Sequence, residues 1–454
     1  MSINDSLRIS SSALLADQAA LQVISHNIAN VNTDGYHKQS VQLTANPSSS
    51  TASGLTLGTG VTVSDVIRSY NQMTEHLLLE EKSDYEYHST LAGALGELEG
   101  LVSGTDDSSL STQLQEFWDA WQELADDPSS TSSRNILLET AGSLADTIKT
   151  LVERVTEFRE GIAGGDGSSS AFSGAVTDEV ATLNSLAAEI AELNDRITRL
   201  GTTTDCNDLE DKRDALIREL SEKADITVGS DFTISIDGQM LVSSDGKTCN
   251  PLTQTSSAPI AFEMNGVSVT ISSGSIGAWV EAAGEADALL ETLNTLAAEL
   301  ISSVNSAHTT GYDRNGDLGT EFFSGSDATD IALNISDPDL AAAAATSDAS
   351  GDGDNALLIA HLADSEPERL GNATFQEYFD NALVSLGSKV TTEENAADDA
   401  ELAVNSLLNT IQSESGVSED EEMVNMISFQ SAYQAAAKMI STLNEIMETL
   451  INMK

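Results

Sequence analysis

Six histidines and two cysteines are the side chains of this sequence best suited to bind a transition metal or to act as nucleophiles. No two histidines are four residues apart, so the helical spacing that places two imidazoles on one zinc ion is absent. Cys206 and Cys249 lack CxxC spacing, and two cysteines so far apart do not indicate a disulfide framework. We therefore predict no metal site and no cofactor.

Two short motifs resemble fragments of known sites, and neither is complete. Ser244 and Lys247 form a lone SxxK pair without the companion motifs of the enzymes that use it. Residues 313–317 match the opening of a calcium loop, but Leu318 occupies the position at which that loop requires glycine. The GxSxG, HExxH and GxxxxGKS/T motifs are absent as well. The sequence therefore predicts turns at both places, no catalytic residue and no enzyme.

The charge balance excludes several classes of partner. With 73 acidic and 20 basic side chains, the formal net charge is −53. Such a surface repels nucleic acid phosphates, so we predict no nucleic acid partner. We also predict no membrane insertion, because no stretch approaches about 18 uninterrupted apolar residues. Many copies of so acidic a chain repel one another unless counterions screen them, so a saline medium is expected.

The clearest periodicity lies near the two ends of the chain. Two seven-residue series, offset by three, run through the C-terminal segment: Met426, Tyr433, Ile440 and Met447, and Phe429, Ala436, Leu443 and Leu450. One series runs through the N-terminal segment: Leu7, Leu14, Leu21 and Ile28. This spacing predicts a coiled-coil seam. Because Ser10 and Asp17 interrupt the second N-terminal line, that helix needs a partner, and the C-terminal helix is the natural one.

Polar residues mark the ends of these two helices. Ser418 followed by Glu421 is a capping box, and the acidic residues of the same turn favour a helix start. A helix stop and turn follow the N-terminal series at Asn30, Asn32, Asp34 and Gly35. Apolar periodicity predicts further helices around residues 71–103, 137–162, 183–200, 207–224, 285–308 and 373–413, besides the C-terminal helix at 418–452.

Two stretches alternate apolar and polar residues, which is typical of strands: residues 36–70 and residues 225–280. We therefore predict a mainly α fold with a small β insert. The N- and C-terminal segments form an elongated helical bundle or coiled coil, and one β-rich domain is added. The predicted domains are a terminal assembly domain (1–40 and 415–454), a central helical bundle (41–224 and 281–414) and a small β-rich domain (225–280).

Residues 25–36 read SHNIANVNTDGY, which resembles the SxNIANxNTxGY signature of bacterial flagellar rod, hook and hook-associated proteins. Four further blocks are similar to the hook-associated protein 1 family and follow in its order: residues 117–134, 208–216, 304–323 and 416–435. The resemblance covers most of the chain. The chain is short for that family, so an outer domain is expected to be missing or reduced.

The resemblance implies a structural protein at the junction between flagellar hook and filament, outside the cell. It also implies type III export, which fits an N-terminus without the features of a cleaved secretory signal. The implied partners are further copies of the chain in a ring or tube, hook protein, a second junction protein or filament subunits, and an export chaperone at the C-terminus. Two alternatives remain: another axial protein (hook, rod or flagellin-like) and a secreted glycan hydrolase.

The resemblance and the terminal periodicity together predict an axial assembly interface rather than a catalytic site. Its predicted residues are Leu7, Leu14, Leu21, Asn27, Ile28, Asn30, Asn32, Gly35, Tyr36, Met426, Phe429, Tyr433, Ile440, Leu443, Met447 and Leu450.

Overall fold

The computed structural model describes residues 3–33, 35–50, 56–104, 109–164, 173–201, 206–347 and 351–453. Helices account for 66% of the structure and strands for 11%, so the prediction of a mainly α chain is confirmed. Within these ranges, no helix is both long and apolar enough to cross a lipid bilayer.

The described residues form ten α-helices. They are α1 (Ile3–Ala29), α2 (Gln72–Ser103), α3 (Leu110–Asp126), α4 (Thr131–Ala163), α5 (Ala175–Leu200), α6 (Asn207–Lys223), α7 (Gly274–His308), α8 (Asp354–Ala360), α9 (Phe375–Ser415) and α10 (Glu419–Asn452). The helices predicted at 71–103, 207–224, 373–413 and 418–452 are confirmed to within two residues at each end. Helix α7 begins at Gly274, well before the predicted residue 285. The prediction missed its first turns because they are rich in glycine and alanine and show no clear apolar period.

The strands are short and pair only with neighbours of the opposite direction. They are β1 (Gln39–Ala45), β2 (Ser49–Ser50), β3 (Thr56–Leu57), β4 (Val61–Arg68), β5 (Ile226–Val228), β6 (Ile234–Ile236), β7 (Gln239–Val242), β8 (Leu252–Ser257), β9 (Ile260–Met264), β10 (Val267–Val269), β11 (Phe323–Ser324) and β12 (Ala332–Leu333). The predicted extended stretch 36–70 contains the antiparallel pair β1 and β4, in which Gln39 lies opposite Arg68.

The first compact unit comprises Met1–Ser83, Leu183–Pro251 and Ala400–Lys454. Helix α1 packs along α10 and against strands β1 and β4. The sheet β5–β6–β7 belongs to the same unit, and the Asn194 side chain of α5 donates a hydrogen bond to the carbonyl of Ser243 beside it (3.1 Å). This unit therefore contains both ends of the chain.

The second compact unit comprises Asp84–Thr182 and Leu252–Asp399. Helix α4 packs against α3 and α7, and α8 packs on α3. Five buried aromatic side chains pack together within its core, with neighbouring ring centroids 4.8 to 6.4 Å apart: Phe117, Trp118, Trp121, Phe322 and Phe323. The sheet β8–β9–β10 belongs here, so the predicted β-rich stretch 225–280 contains two separate sheets, one in each unit.

His308, from one of the family-like blocks, is a fully buried residue of this second unit. Its Nδ1 atom lies 2.6 Å from the carbonyl oxygen of Thr320, and its Nε2 atom accepts a hydrogen bond from the backbone N–H of Ala342 (2.9 Å). The Nδ1 atom therefore carries the proton. Burial lowers the pKa of His308, so the ring is neutral and serves as a structural link between the end of α7 and two loops.

Arg134 is a second buried polar residue of this unit (2% exposed). Its guanidinium donates hydrogen bonds to the backbone carbonyls of Pro128 (3.1 Å), Pro338 (3.1 Å) and Ala341 (2.7 Å). These bonds fasten the start of α4 to the loop that precedes it and to the segment around residue 340. The buried charge is tolerated here because three carbonyl oxygens accept hydrogen bonds from it.

Replacing Arg134 by alanine is expected to destabilise the second unit by about 2–4 kcal/mol, because the buried carbonyls lose a charged donor. The exposed Arg154 of the same helix provides a control, and Arg154→Ala is expected to change the free energy of unfolding by less than about 0.5 kcal/mol. Urea unfolding followed by tryptophan fluorescence reports on this unit, since all three tryptophans lie in it. Equal stability losses in the two variants would contradict the role given to Arg134.

Candidate functional site

Helix α10 begins as its sequence predicts. The hydroxyl of Ser418 accepts a hydrogen bond from the backbone N–H of Glu421, and four acidic residues occupy the first turn, where the helix dipole favours them. Three of these acids are exposed, whereas Glu422 is buried (1% exposed). A buried carboxylate needs partners, and those partners lie at the other end of the chain.

The predicted heptad line of α10 is its least exposed face. Along this line Ala436 is buried, Leu450 near the end of the helix is 53% exposed, and the other members are half-buried. Those half-buried members are Met426, Phe429, Tyr433, Ile440, Leu443 and Met447. Since α10 packs along α1, the structure places this line against the N-terminal helix, the partner that its periodicity predicted.

The leucine series of α1 is not the most deeply buried part of that helix, and its place in the predicted interface stays a prediction. Four members, Leu7, Leu14, Leu21 and Ile28, are only half-buried. The buried residues of α1 are Ser10, Ala16, Ala20, Ile24 and Asn27. Helix α1 packs on strands β1 and β4 as well as on α10. The role of the leucine series in assembly stays a proposal.

Asn27 joins the two terminal helices. Its side-chain amide donates to the Glu422 carboxylate (3.0 Å) and to the backbone carbonyl of Gln39 (2.9 Å). Its side-chain oxygen accepts from the Tyr36 hydroxyl (2.8 Å) and from the backbone N–H of Gln39 (3.0 Å). Both ends of the amide are thus satisfied although the residue is 1% exposed. Because the C-terminal end of α1 meets the first turn of α10, the two helices run antiparallel.

Other residues of the segment 25–36 hold the loop after α1 in place. The Asn30 side chain donates to the carbonyl of His26 (3.0 Å) and accepts from the Thr33 hydroxyl (3.2 Å), which closes the end of the helix. Gly35 has φ +71°, a conformation that favours glycine. Asn32 is exposed, and Asp34 lies outside the described residues. The predicted helix stop is therefore confirmed for the described part of the turn.

Burial raises the pKa of Tyr36, and the nearby carboxylates of Asp208, Asp211 and Glu422 raise it further. The Tyr36 hydroxyl thus remains protonated and able to donate to Asn27. Lys38, two residues along, pairs through its ammonium group with Glu422 (3.1 Å) and Glu421 (3.2 Å). The loop therefore presents one donor to the C-terminal end of α1 and another to the N-terminal end of α10.

His37 of the same loop is the centre of a buried ionic cluster and is 2% exposed. The imidazole contacts Asp211 of α6 through Nδ1 (2.7 Å) and Glu75 of α2 through Nε2 (3.4 Å). Arg68 at the end of β4 donates to Asp211 (2.9 Å), and Arg218 donates to Glu75 (2.7 Å). Each carboxylate therefore has two cationic partners, and the cluster connects β4, α2 and α6 within the first unit.

Burial alone lowers the pKa of His37, but the hydrogen bonds to Asp211 and Glu75 outweigh it and raise this pKa to about 9. His37 is therefore a cation at neutral pH. For Glu75, burial raises the pKa, but the bonds from His37 and Arg218 outweigh that effect and lower it. The cluster is thus a set of charges that support one another.

Asp214 and Arg213, in the family-like block 208–216, extend this cluster. Asp214 accepts from Arg68 (2.6 Å), and the Arg213 guanidinium lies 3.5 Å from the ring centroid of Phe232. That distance allows a cation–π interaction, which holds the loop before β6 against α6. Sequence reasoning did not single out His37, Arg68 or Glu75 as site residues, because their partners lie far away in the chain.

The two incomplete motifs are turns, as predicted. Lys247 pairs with Asp245 (3.0 Å), which also accepts from the Ser243 hydroxyl (2.8 Å) in the turn after β7. Asp313 accepts backbone N–H bonds from Asn315 (2.8 Å) and Asp317 (2.9 Å), which folds its own loop. Across the ranges that the structure covers, no group of three or more His, Cys, Asp and Glu residues is arranged to hold a metal ion.

Comparison with known proteins places these features in a family. Residues 95–323 match the family model described as the flagellar hook-associated protein FlgK helical domain. Residues 7–37 match a flagella basal body rod protein model, and residues 410–453 match a model of the C-terminal region of flagellar basal body rod FlgEFG proteins. The two terminal matches coincide with α1 and its loop and with α10.

Similar proteins align over nearly the whole chain. Flagellar hook-associated protein 1 of Bacillus subtilis (strain 168) is 27% identical over 500 residues, covering 97% of this chain and 96% of that protein. The protein of that name from Salmonella typhimurium is 25% identical over 558 residues, covering 98% of each. This second alignment is longer than the 454 residues of the chain, so it contains gaps in this sequence, as expected for a short member.

A solved structure shares the fold. The flagellar hook junction protein FlgK from Burkholderia pseudomallei matches with a TM-score of 0.65 and 14% identity, covering 76% of this chain and 100% of that one. The matched models, relatives and fold together define a structural component of the bacterial flagellum rather than an enzyme. The chain belongs to the flagellar hook-associated protein FlgK family.

The first unit is expected to lose stability as pH rises from about 6.5 to about 9. His37 is charged in the folded state up to a pKa of about 9, whereas its ordinary value is 6.5. Because the pKa of His37 is higher in the folded chain than in the unfolded chain, protonation stabilises the folded state. This stabilisation is fully present below the unfolded-state pKa and is lost once the pH exceeds the folded-state pKa. Its size here is about 3 kcal/mol. The measurement is urea unfolding followed by circular dichroism, and by amide hydrogen exchange of α1 and α10, between pH 6 and 10.

The control for this pH prediction is His37→Gln, which keeps a hydrogen-bonding side chain and removes the titration. Its stability should vary much less across the same range. An unchanged pH dependence in this variant would contradict the assignment of the effect to the imidazole between Asp211 and Glu75.

Proposed function

We propose that this chain assembles at the junction between hook and filament through its paired terminal helices. The observation that carries this proposal is an apolar row on α10 that its contact with α1 leaves uncovered. The row comprises Val424 (67% exposed), Met439 (55%) and Ile446 (45%). At 100° per residue these positions share one side of the helix, next to the seam. An exposed apolar row of this length favours a protein partner.

The proposed interface combines this row with the predicted residues at the ends of the chain. The leucine series of α1 is half-buried, so it offers a second apolar strip. Two different strips on one subunit suit a heterologous contact, in which copies add head to tail into a ring or tube. The proposed neighbours are further copies, hook protein, and a second junction protein or filament subunits.

Export is the second part of the proposal. The chain would pass through the flagellar type III apparatus, and a chaperone would cover the C-terminal seam until assembly. In support, the seam residues of α10 are apolar and become fully exposed when α1 is not paired with them. The chaperone would therefore compete with α1 for one face of α10.

Charged substitutions on the exposed row should block assembly without unfolding the chain. Met439→Asp combined with Ile446→Asp is expected to abolish filament attachment in cells that carry only this variant, because two carboxylates would be buried in the proposed contact. Ser441→Asp, on another side of α10, is the matched control and should allow normal filaments. Normal filaments in the double variant, or in chains lacking 1–40 or 415–454, would overturn the proposal.

Assembly should also require salt. With a net charge of −53, like-charged subunits repel one another over a distance that screening reduces from about 30 Å at 0.01 M to about 8 Å at 0.15 M ionic strength. Light scattering of the purified chain at rising sodium chloride should show polymer only above a threshold concentration. Equal polymerisation at both ionic strengths would contradict the role assigned to surface charge.

A further inference from the structure

The apolar contact between α1 and α10 does not by itself define one alignment. The seam of α10 repeats every seven residues, and the buried face of α1 is mostly small. A shift of one heptad, about 10 Å along the axis, would again place apolar side chains of α10 against alanines of α1. Some other contact must therefore distinguish the observed alignment from its neighbours.

The polar contact at the end of the pair does not repeat. Asn27 and Glu422 are each 1% exposed and bond directly to each other (3.0 Å). The other bonds of Asn27 go to its own loop, and the other partner of Glu422 is Lys38 of that loop. The seam positions one heptad further on, Ala20 in α1 and Phe429 in α10, carry no polar side chain.

We propose that the Asn27–Glu422 pair is a register lock for the terminal helices. A single buried polar pair can fix the alignment of a helix pair, because any other alignment buries it without partners. A shift by one heptad in one direction places Glu422 against Ala20, and a shift in the other places Asn27 against Phe429. Either shift leaves a charged or amide group unsatisfied, and a lost hydrogen bond to a charged group corresponds to a preference of roughly 10- to 100-fold.

This register determines which surface α10 presents. If α10 shifted by one heptad along α1, its apolar row beside the seam would lie at a different position relative to α1 and to the loop. The inference concerns the single chain and does not depend on its place at the hook–filament junction. It assigns Glu422 a positioning role rather than a merely stabilising one.

The alignment can be read by disulfide cross-linking of the purified full-length chain, with Cys206→Ser and Cys249→Ser as background. Because both helices rise equally per residue, Ala13 lies level with Ala436 when Asn27 lies level with Glu422. The pair Ala13→Cys with Ala436→Cys therefore reports the observed register. The pair Ala20→Cys with Ala436→Cys reports a slip of one heptad. We expect the first pair to cross-link roughly tenfold more than the second.

The decisive variant is Glu422→Met, which keeps the size of the side chain and removes its polar group. Asn27 keeps its loop bonds, and Lys38 keeps Glu421 (3.2 Å) as a partner. We expect the ratio of the two cross-links to fall about tenfold while helicity by circular dichroism stays unchanged. Glu422→Gln, whose amide oxygen still accepts from Asn27, should keep the ratio within about twofold.

Ser10→Ala is the matched control. Ser10 is equally buried in the face of α1 (1% exposed), but its hydroxyl bonds only within the helix, to the carbonyl of Ser6 (3.0 Å). This variant should leave the cross-link ratio unchanged. An unchanged ratio in Glu422→Met would show that backbone bonds of the loop hold the register, and it would overturn the proposal. Loss of both cross-links together with helicity would overturn it too, because Glu422 would then stabilise the helices without aligning them.

Discussion

A buried amide and a buried carboxylate, Asn27 and Glu422, meet where α1 ends and α10 begins. Neither group can be withdrawn from water at acceptable cost unless it is hydrogen-bonded, so their contact requires the two ends of the chain to come together. The same amide fixes the loop through Tyr36 and Gln39. Through Asn27, the end of α1, the loop after it and the start of β1 are all linked to the first turn of α10.

The ionic cluster around His37 adjoins that contact, because His37 directly follows Tyr36, which bonds to Asn27. The cluster also contains several of the few cations of the chain. The chain has only 20 Lys and Arg residues, and two of its arginines, Arg68 and Arg213, are buried in or beside this cluster. The cations of this cluster join β4, α2 and α6 by pairing with the buried carboxylates of Glu75, Asp211 and Asp214. The net charge of −53 therefore lies on the rest of the chain, and we propose that apolar rows on the terminal helices provide the attraction that assembly needs.

The terminal helices could be predicted from the sequence because heptad spacing and capping are local signals. The capped start of α10 and its pairing with α1 could be predicted for that reason. The deep burial of Ala16, Ala20 and Asn27 could not be predicted, because the leucine series of α1 is the stronger apolar signal. The partners of His37 could not be predicted, since Asp211 is 174 residues away and no periodicity connects the two. The family-like segment 25–36 drew attention to Asn27 and Tyr36, but it did not indicate that Asn27 bonds to Glu422 or that Tyr36 bonds to Asn27.

We propose that α1 and α10 of one chain act as a single paired element during assembly. The most direct test is a cryo-electron microscopy structure of the assembled protein. It should show the Asn27 amide still within hydrogen-bond distance of Glu422 in the same chain, about 3.0 Å as in the structure. The apolar row of α10 should contact neighbouring molecules. Terminal helices separated from each other, and paired only with helices of other subunits, would contradict the claim.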